Sequence, residues 1–247
     1  MLALTPSSAL SAAEEKPTAP RPAPATTTAT SADAKLLERG RGKLHDDDFD
    51  EAIRIFKQIF DLPKSDVKDG AIFYTALALE KRAAKSTDGE KRAADEKEAL
   101  VHYQKCADSF PDSPFAADSI IRIGNMHLKQ QRYKEAAEYF LSFQQARPTH
   151  RLSPLALFLA AQCAYKLGDF KSAAERFTKV IDTYPDVKDL RAEAMYWLGD
   201  AFLTMHDINS ASRAFKRLIA AYPESEWARA AKGRLTEEVF APTRGGF

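Results

Sequence analysis

The sequence predicts an all-α protein made of repeated helix–turn–helix units, and the main evidence is a motif that recurs between residues 132 and 223. The motif is a small residue, an aromatic residue four positions later and a proline eight positions after that. Its copies, at intervals of 37 and then 38 residues, are Ala136, Phe140 and Pro148; Ala173, Phe177 and Pro185; and Ala211, Phe215 and Pro223. Self-similarity at a fixed period of this length is the signature of a repeat architecture.

Two fainter copies lie upstream, and each copy also has a first half. The upstream copies contain Ala52, Phe56 and Pro63, and Ala99, Tyr103 and Pro111. In four copies a second small residue stands twelve positions before the motif alanine, namely Gly40, Gly124, Ala161 and Gly199. Apolar residues recur every three or four positions in these halves, which is the spacing of one helix face. Each copy is therefore predicted to be a helix, a short turn and a second helix.

The residue types of the motif follow from the packing of two helices. Helices cross at about 8–10 Å, so small residues at the crossing let the two backbones approach. The aromatic side chain fills the space one turn further on, and the proline ends the second helix because it cannot continue one.

This small, small, aromatic and proline pattern resembles the tetratricopeptide repeat (TPR) over roughly residues 33–240. The resemblance implies a right-handed superhelical solenoid of about five repeats with a C-terminal capping helix. The predicted repeats are residues 33–65, 66–113, 114–150, 151–187 and 188–225, and the capping helix is 226–240. The junctions FPDSPFAADS, YPDVKDLRAEA and YPESEWARAA are similar to those of bacterial envelope TPR proteins of the YbgF/CpoB and BamD-like type.

The two ends of the chain are predicted to be disordered. Residues 1–32 are rich in Ala, Pro and Thr and too poor in large apolar residues to form a core, so they form a linker or a signal remnant. Ser11-Ala12-Ala13 suits a signal-cleavage site, although the basic region of a signal peptide is missing. We favour a periplasmic or cell-envelope location, with a cytoplasmic one as the alternative. Residues 241–247 are a predicted tail.

Composition argues against nucleic-acid and membrane-spanning functions. The formal net charge is +1, whereas a generic nucleic-acid surface needs a clustered excess of Lys and Arg. No stretch approaches the 18 or more apolar residues of a membrane span.

No catalytic motif is recognisable, so we predict no enzymatic activity, no cofactor and no metal. The acidic turn HDDDFDE could suggest calcium, but it lacks the Gly and distant Glu of a calcium loop, which favours a helix N-cap instead. His102 and Cys106 stand four apart on one helix, yet Cys106 occupies a core position of the repeat. We therefore interpret Cys106 and Cys163 as packed, free thiols.

The resemblance implies a concave groove lined by the first helix of each repeat. From the register, the groove residues are Phe73, Leu77, Ile121, Asn125, Leu128, Lys129, Phe158, Gln162, Tyr165, Lys166, Tyr196 and Asp200. Aromatic, amide and ammonium groups together suit an extended peptide or a partner helix. Some of these aromatic residues could instead be core residues. Only Asn125 matches the carboxylate clamp of chaperone-binding TPR proteins, because Ile121 stands in place of the clamp lysine.

The predicted function is a protein–protein interaction scaffold in envelope assembly or maintenance, and the sequence does not identify its partner. The alternative is a structural subunit of an envelope complex that self-associates into a homo-oligomer. About eleven extra residues separate the halves of the second copy, and their helix-forming ends predict two lengthened helices with a tip at Ser86 to Gly89. This segment is either a tolerated insertion or a hairpin that touches a partner.

Overall fold

The computed structural model describes residues 32–62 and 64–236. Within those ranges the regular secondary structure is α-helical throughout, which confirms the predicted all-α class of helix–turn–helix pairs. The predictions for residues 1–31, for the tail and for the last residues of the capping helix lie outside the described residues.

The described helices divide into two compact units, which we call the N-terminal unit (residues 32–129) and the C-terminal unit (residues 130–236). The N-terminal unit contains α1 (Ala32–His45), α2 (Phe49–Phe60), α3 (Lys68–Lys85), α4 (Gly89–Ser109) and α5 (Pro114–Lys129). Each helix packs on the next, and α3 also contacts α1 and α5. The alternate helices α1, α3 and α5 therefore form one layer of this unit.

The C-terminal unit repeats this arrangement with six helices. They are α6 (Tyr133–Ala146), α7 (Ser153–Lys166), α8 (Phe170–Thr183), α9 (Lys188–Thr204), α10 (Ile208–Ala221) and α11 (Glu226–Leu235). Successive helices pack together, and α9 also contacts both α7 and α11. We call α7, α9 and α11 the first helices of this unit, and α6, α8 and α10 its second helices.

A recurring turn joins the first helix of a pair to the second. After α9, the amide of His206 donates to the carbonyl of Leu203 and the amide of Asp207 donates to that of Phe202, at 2.9 Å each. These two bonds are a Schellman motif, which requires a left-handed residue after the helix. His206 has φ 60°, and Gly168 (φ 80°) and Asp47 (φ 61°) fill the same place after α7 and α1.

The aspartate that follows the left-handed residue begins the second helix. The side chains of Asp169 and Asp207 accept hydrogen bonds from the amides of Ser172 and Ser210, at 3.1 and 3.0 Å. These bonds satisfy amide groups that the first turn of a helix leaves without a partner. One short sequence thus ends one helix and starts the next.

Small residues are required where the two helices of a pair cross, because the motif aromatic ring fills the space beside them. A Cβ atom added to Gly199 would lie 2.5, 2.7 and 2.8 Å from three ring carbons of Phe215, whose side chain is fully buried. Gly40 stands in the same relation to Phe56. In each case the ring of the motif aromatic residue occupies the space that a side chain at the glycine position would need.

The helices around the insertion are long, as predicted. Helices α3 and α4 have 18 and 21 residues, whereas α6, α7, α8 and α10 have 14 each. Arg82 on α3 forms a two-bond ion pair with Asp95 on α4, at 2.8 and 2.6 Å, and the Asp95 side chain is only 6% exposed. These hydrogen bonds raise the pKa of Arg82 above its usual value. The pair fastens the two extended helices together.

The acidic turn is held differently from the prediction. Asp48 occupies the N-cap position of α2, but its side chain makes no capping hydrogen bond. Instead, Asp47 pairs with Lys85 at 2.7 Å, and Asp50 pairs with Arg82. The acidic residues therefore attach α2 to the lengthened end of α3, so the expected cap is corrected to a set of ion pairs between helices.

Candidate functional site

A cluster of polar and aromatic side chains joins the three first helices of the C-terminal unit. We call it the Tyr165 cluster, and its members are Tyr165 on α7, Trp197, Asp200 and Thr204 on α9, and Arg234 on α11. The Tyr165 hydroxyl donates a hydrogen bond to Asp200 and lies 3.4 Å from the Thr204 hydroxyl. Arg234 donates to the other Asp200 oxygen at 2.7 Å. Asp200 is thus the centre of a chain of contacts across three helices.

Charge and burial keep the tyrosine neutral. The pKa of Tyr165 is raised to about 12, mainly by burial and secondly by the hydrogen bond to Asp200. The Asp200 and Arg234 side chains are 14% and 28% exposed, so their ion pair is partly shielded from water. The cluster therefore presents a neutral phenol beside a compensated ion pair, a set of groups suited to hydrogen bonding.

Aromatic packing fixes the tyrosine ring. The Tyr165 ring meets Phe170 and Trp197 edge to face, with centroids 5.1 and 5.6 Å apart. Trp197 in turn contacts Tyr196 and Trp227, at 5.7 and 6.4 Å. Edge-to-face pairs at such distances contribute about 0.5–1.5 kcal/mol beyond their buried area. A ring held on two sides in this way has little conformational freedom to lose when a partner binds.

The structure separates the twelve predicted groove residues into two groups. The buried residues are Phe73, Leu77, Ile121, Asn125, Phe158 and Tyr196. The exposed or half-buried residues are Leu128, Lys129, Gln162, Tyr165, Lys166 and Asp200. The three buried aromatic side chains are packing residues, because Phe73 contacts Tyr103 and Phe115, Phe158 contacts Phe177, and Tyr196 contacts Phe215 and Trp227. The surface available to a partner is therefore smaller than the predicted groove.

The N-terminal unit has a buried ion pair in its layer of alternate helices. Glu80 on α3 accepts hydrogen bonds from Arg122 at 3.0 Å and from Tyr103 at 2.8 Å, and Lys129 lies 3.4 Å away. Burial opposes the charge of Glu80, but Arg122 and Lys129 outweigh it and lower the Glu80 pKa. Arg122 also lies over the Phe73 ring, 5.8 Å from its centroid. These groups satisfy one another, so we assign them to packing rather than to binding.

Sequence reasoning identified Tyr165 and Asp200 separately but missed that they touch, and it missed Trp197, Thr204 and Arg234. Equivalent positions of neighbouring repeats are 38 residues apart here, whereas Tyr165 and Asp200 are 35 apart. The contact is therefore diagonal and reaches one helical turn back on the next first helix. A search for complementary side chains one turn from the repeat spacing could have found it.

Metal and membrane sites are not evident among the described residues. In residues 32–62 and 64–236, no group of three His, Cys, Asp or Glu side chains could hold a metal ion. None of the helices in that part of the chain has the length and apolar character needed to cross a membrane.

Comparison with known proteins gives one family match. Residues 120–239 match the family YfiO, described as an outer membrane lipoprotein. No curated protein sequence matches the chain. The match supports the resemblance to BamD-like envelope proteins that the junction sequences indicated.

Several solved structures share the fold. MamA (residues 41 to end) from Desulfovibrio magneticus RS-1 is 18% identical with a TM-score of 0.57, and the match covers 80% of this chain and 99% of MamA. YrrB, a TPR protein described as having an unusual peptide-binding site, is 18% identical with a TM-score of 0.56 and coverages of 83% and 100%. A TPR protein from Parabacteroides merdae ATCC 43184 is 14% identical with a TM-score of 0.61 and coverages of 82% and 72%. At these identities the likeness shows the TPR fold.

Proposed function

Because this chain has the fold of the tetratricopeptide-repeat proteins, we propose that it is a protein–protein interaction scaffold that binds an extended peptide or a partner helix. The observation that carries the proposal is the half-buried Tyr165 ring, which neighbouring aromatic rings and Asp200 hold in place. Pre-organised aromatic side chains of this kind are the usual anchors of protein interfaces.

The groups around Tyr165 define the chemistry of the proposed partner. Gln162 and Lys166 lie on the same helix, three positions before and one position after Tyr165, and both are accessible. The Tyr165 proton is directed to Asp200, so its oxygen remains able to accept a hydrogen bond. This surface suits a peptide that offers an apolar side chain to the ring, backbone amides to the phenol and Gln162, and a carboxylate to Lys166.

A place in the bacterial envelope is part of the proposal. Two observations support it, the match of residues 120–239 to an outer-membrane lipoprotein family and the similarity of the repeat junctions to envelope TPR proteins. The proposed role is to hold a partner during envelope assembly or maintenance, without catalysis by this chain.

The test places a photo-crosslinking amino acid on the surface. We would introduce it at position 166 on α7 and, as a matched control, at position 134 on α6, since both native residues are exposed lysines. In cells, the proposal predicts a crosslinked partner at position 166 that is absent at position 134. Equal crosslinking from both positions would contradict the proposed surface.

Substitution of the anchor then measures its contribution. Tyr165→Ala should lower the affinity for the identified partner at least about 10-fold, since aromatic anchors contribute about 2 kcal/mol or more of binding free energy. Tyr196→Ala serves as the comparison, because Tyr196 is buried and its loss should lower thermal stability by creating a cavity. A folded Tyr165→Ala protein that binds with unchanged affinity would refute the role of Tyr165.

Self-association remains the alternative proposal, and sedimentation of the full chain distinguishes it. A scaffold should sediment as one species of fixed size, whereas a structural subunit should form larger species as the protein concentration rises.

A further inference from the structure

A second groove lies between the second helices α8 and α10 of the C-terminal unit. Both helices pack against α9, so a strip of α9 is left uncovered between them and forms the floor. Two adjoining hollows of about 380 and 370 Å³ make up the groove, and Phe202 lines both. This groove shares no residue with the Tyr165 cluster.

The floor of the groove is an apolar stripe along one helix. It consists of Met195, Leu198, Phe202 and Met205, of which the last three are only half-buried. Their spacings of three, four and three residues place them on one face of α9 and its C-cap residue Met205, over roughly 15 Å at 1.5 Å per residue. A stripe of this length offers contacts to about three turns of a partner helix.

The α10 wall of the groove is cationic. Helix α10 contains Arg213, Lys216 and Arg217 and has no Asp or Glu in its fourteen residues. Arg213 and Arg217 line the groove. The contacts of these two arginines are weak. Arg213 donates to the neutral Ser210 hydroxyl, and Arg217 lies 4.0 Å from Asp182 in an ion pair whose two side chains are both exposed.

The α8 wall carries charge of both signs. Lys171 and Glu175 line this side of the groove. The lining of the two hollows together therefore contains three cationic side chains and one carboxylate, although the whole chain has a formal net charge of only +1. The lining of the groove thus has a net positive charge.

We propose that this groove binds an acidic amphipathic helix of a partner protein. Apolar side chains of that helix would enter the two hollows and cover Leu198, Phe202 and Met205. Carboxylates on its flank would face Arg213, which donates to a neutral serine hydroxyl, and Arg217, whose ion pair with Asp182 is long and exposed. Complementary charge at the rim and apolar contact at the floor together define both the orientation and the class of the partner.

The test uses two synthetic fourteen-residue helical peptides with leucines at the same positions. One peptide has flanking glutamates and the other has flanking lysines. Fluorescence anisotropy with the full chain should show that the glutamate peptide binds at least about 10-fold more tightly than the lysine peptide. Equal affinities, or no binding of the glutamate peptide, would overturn the proposal.

Charge reversal assigns the binding to the groove. Arg213→Glu/Arg217→Glu should lower the affinity for the glutamate peptide at least about 10-fold and raise the affinity for the lysine peptide. Arg229→Glu/Lys232→Glu reverses two exposed charges on α11 and is the matched control, for which affinity should stay unchanged. If the reversed groove variant does not fold, Arg213→Gln/Arg217→Gln provides the same test by neutralisation. Affinities that do not respond to either groove variant would overturn the proposal.

Measurements on the same wild-type and variant chains also distinguish two other possible occupants of the groove. If the wild-type chain forms a dimer that the groove variant cannot form, the occupant is a second copy of this chain. If the wild-type chain binds vesicles of anionic phospholipid and the groove variant does not, the occupant is a lipid surface. Either result would overturn the proposal that a partner helix occupies the groove. Neither would bear on the Tyr165 cluster, which Tyr165→Ala tests separately.

Discussion

Replacement of Gly199 by alanine should destabilise the C-terminal unit, although alanine is the better helix former. The new Cβ atom would lie 2.5 to 2.8 Å from the Phe215 ring, whereas carbon atoms in contact prefer about 3.5–4.0 Å. The ring is fully buried and cannot move into solvent. Overpacking of this kind costs about 1–3 kcal/mol, and the gain from replacing a helical glycine is about 0.5–1 kcal/mol. The midpoints of the two ranges leave a net loss of about 1 kcal/mol.

Thermal or chemical unfolding monitored by circular dichroism measures this loss against a matched control. Gly233 lies on α11 with nothing within 4 Å of its added Cβ atom, so Gly233→Ala should be neutral or stabilising. Phe215→Leu in the Gly199→Ala background should recover part of the loss, because the smaller side chain makes room. If Gly199→Ala proves as stable as Gly233→Ala, the steric explanation of the small residue is wrong. Ala161 holds the equivalent place before Phe177, so that repeat accommodates a methyl group where this one has a glycine.

Three further predictions concern the core. Asp95→Asn should cost about 1–3 kcal/mol, because it removes the buried charge and one of the two Asp95 oxygens that accept hydrogen bonds from Arg82 while leaving the side-chain volume nearly unchanged, and hydrogen exchange should rise first in α3 and α4. The pKa values of Cys106 and Cys163 are raised by burial to about 11 and 12, so neither thiol should react with a disulfide reagent at pH 8 until the chain unfolds. Because the unfolded thiols ionise near pH 9, unfolding free energy should decrease as pH rises above that value, and replacing both with alanine should flatten this slope. Ala173→Arg should cost about 1–3 kcal/mol from overpacking plus the cost of a buried charge, with faster hydrogen exchange in the C-terminal unit and little change in α1.

The repeats could be predicted because their evidence is internal to the chain. The small residue at 199, the alanine at 211 and the aromatic at 215 recur at fixed intervals, and each reflects a contact within one helix pair. The turn residues carry a weaker signal. Gly168 predicts a left-handed residue, but His206 and Asp47 occupy the same backbone conformation without a glycine to mark it.

The binding surface was harder to predict because the first helices are covered on several sides. In α9, residues 192–197 are all buried, so the apolar period that normally distinguishes the inner face of a helix is absent. Phe158 and Tyr196 occupy register positions of the expected groove, yet both point into packing between helices. The ion pairs of Asp47 and Asp50 were also unpredictable, since their partners come from the lengthened end of α3, far away in sequence.

The Schellman turn specifies a backbone conformation and leaves the residue free. Histidine, glycine and aspartate each fill the left-handed place, and the following aspartate starts the next helix within the same few residues. A segment such as 169–206 therefore begins at one capping aspartate and ends just before the next, so two copies in tandem recreate the joint between them. Duplication of the 38 codons for that segment would add a whole repeat in frame, together with the residues that end one helix and begin the next. The array can thus change length during evolution, or by design, without a new junction having to be invented.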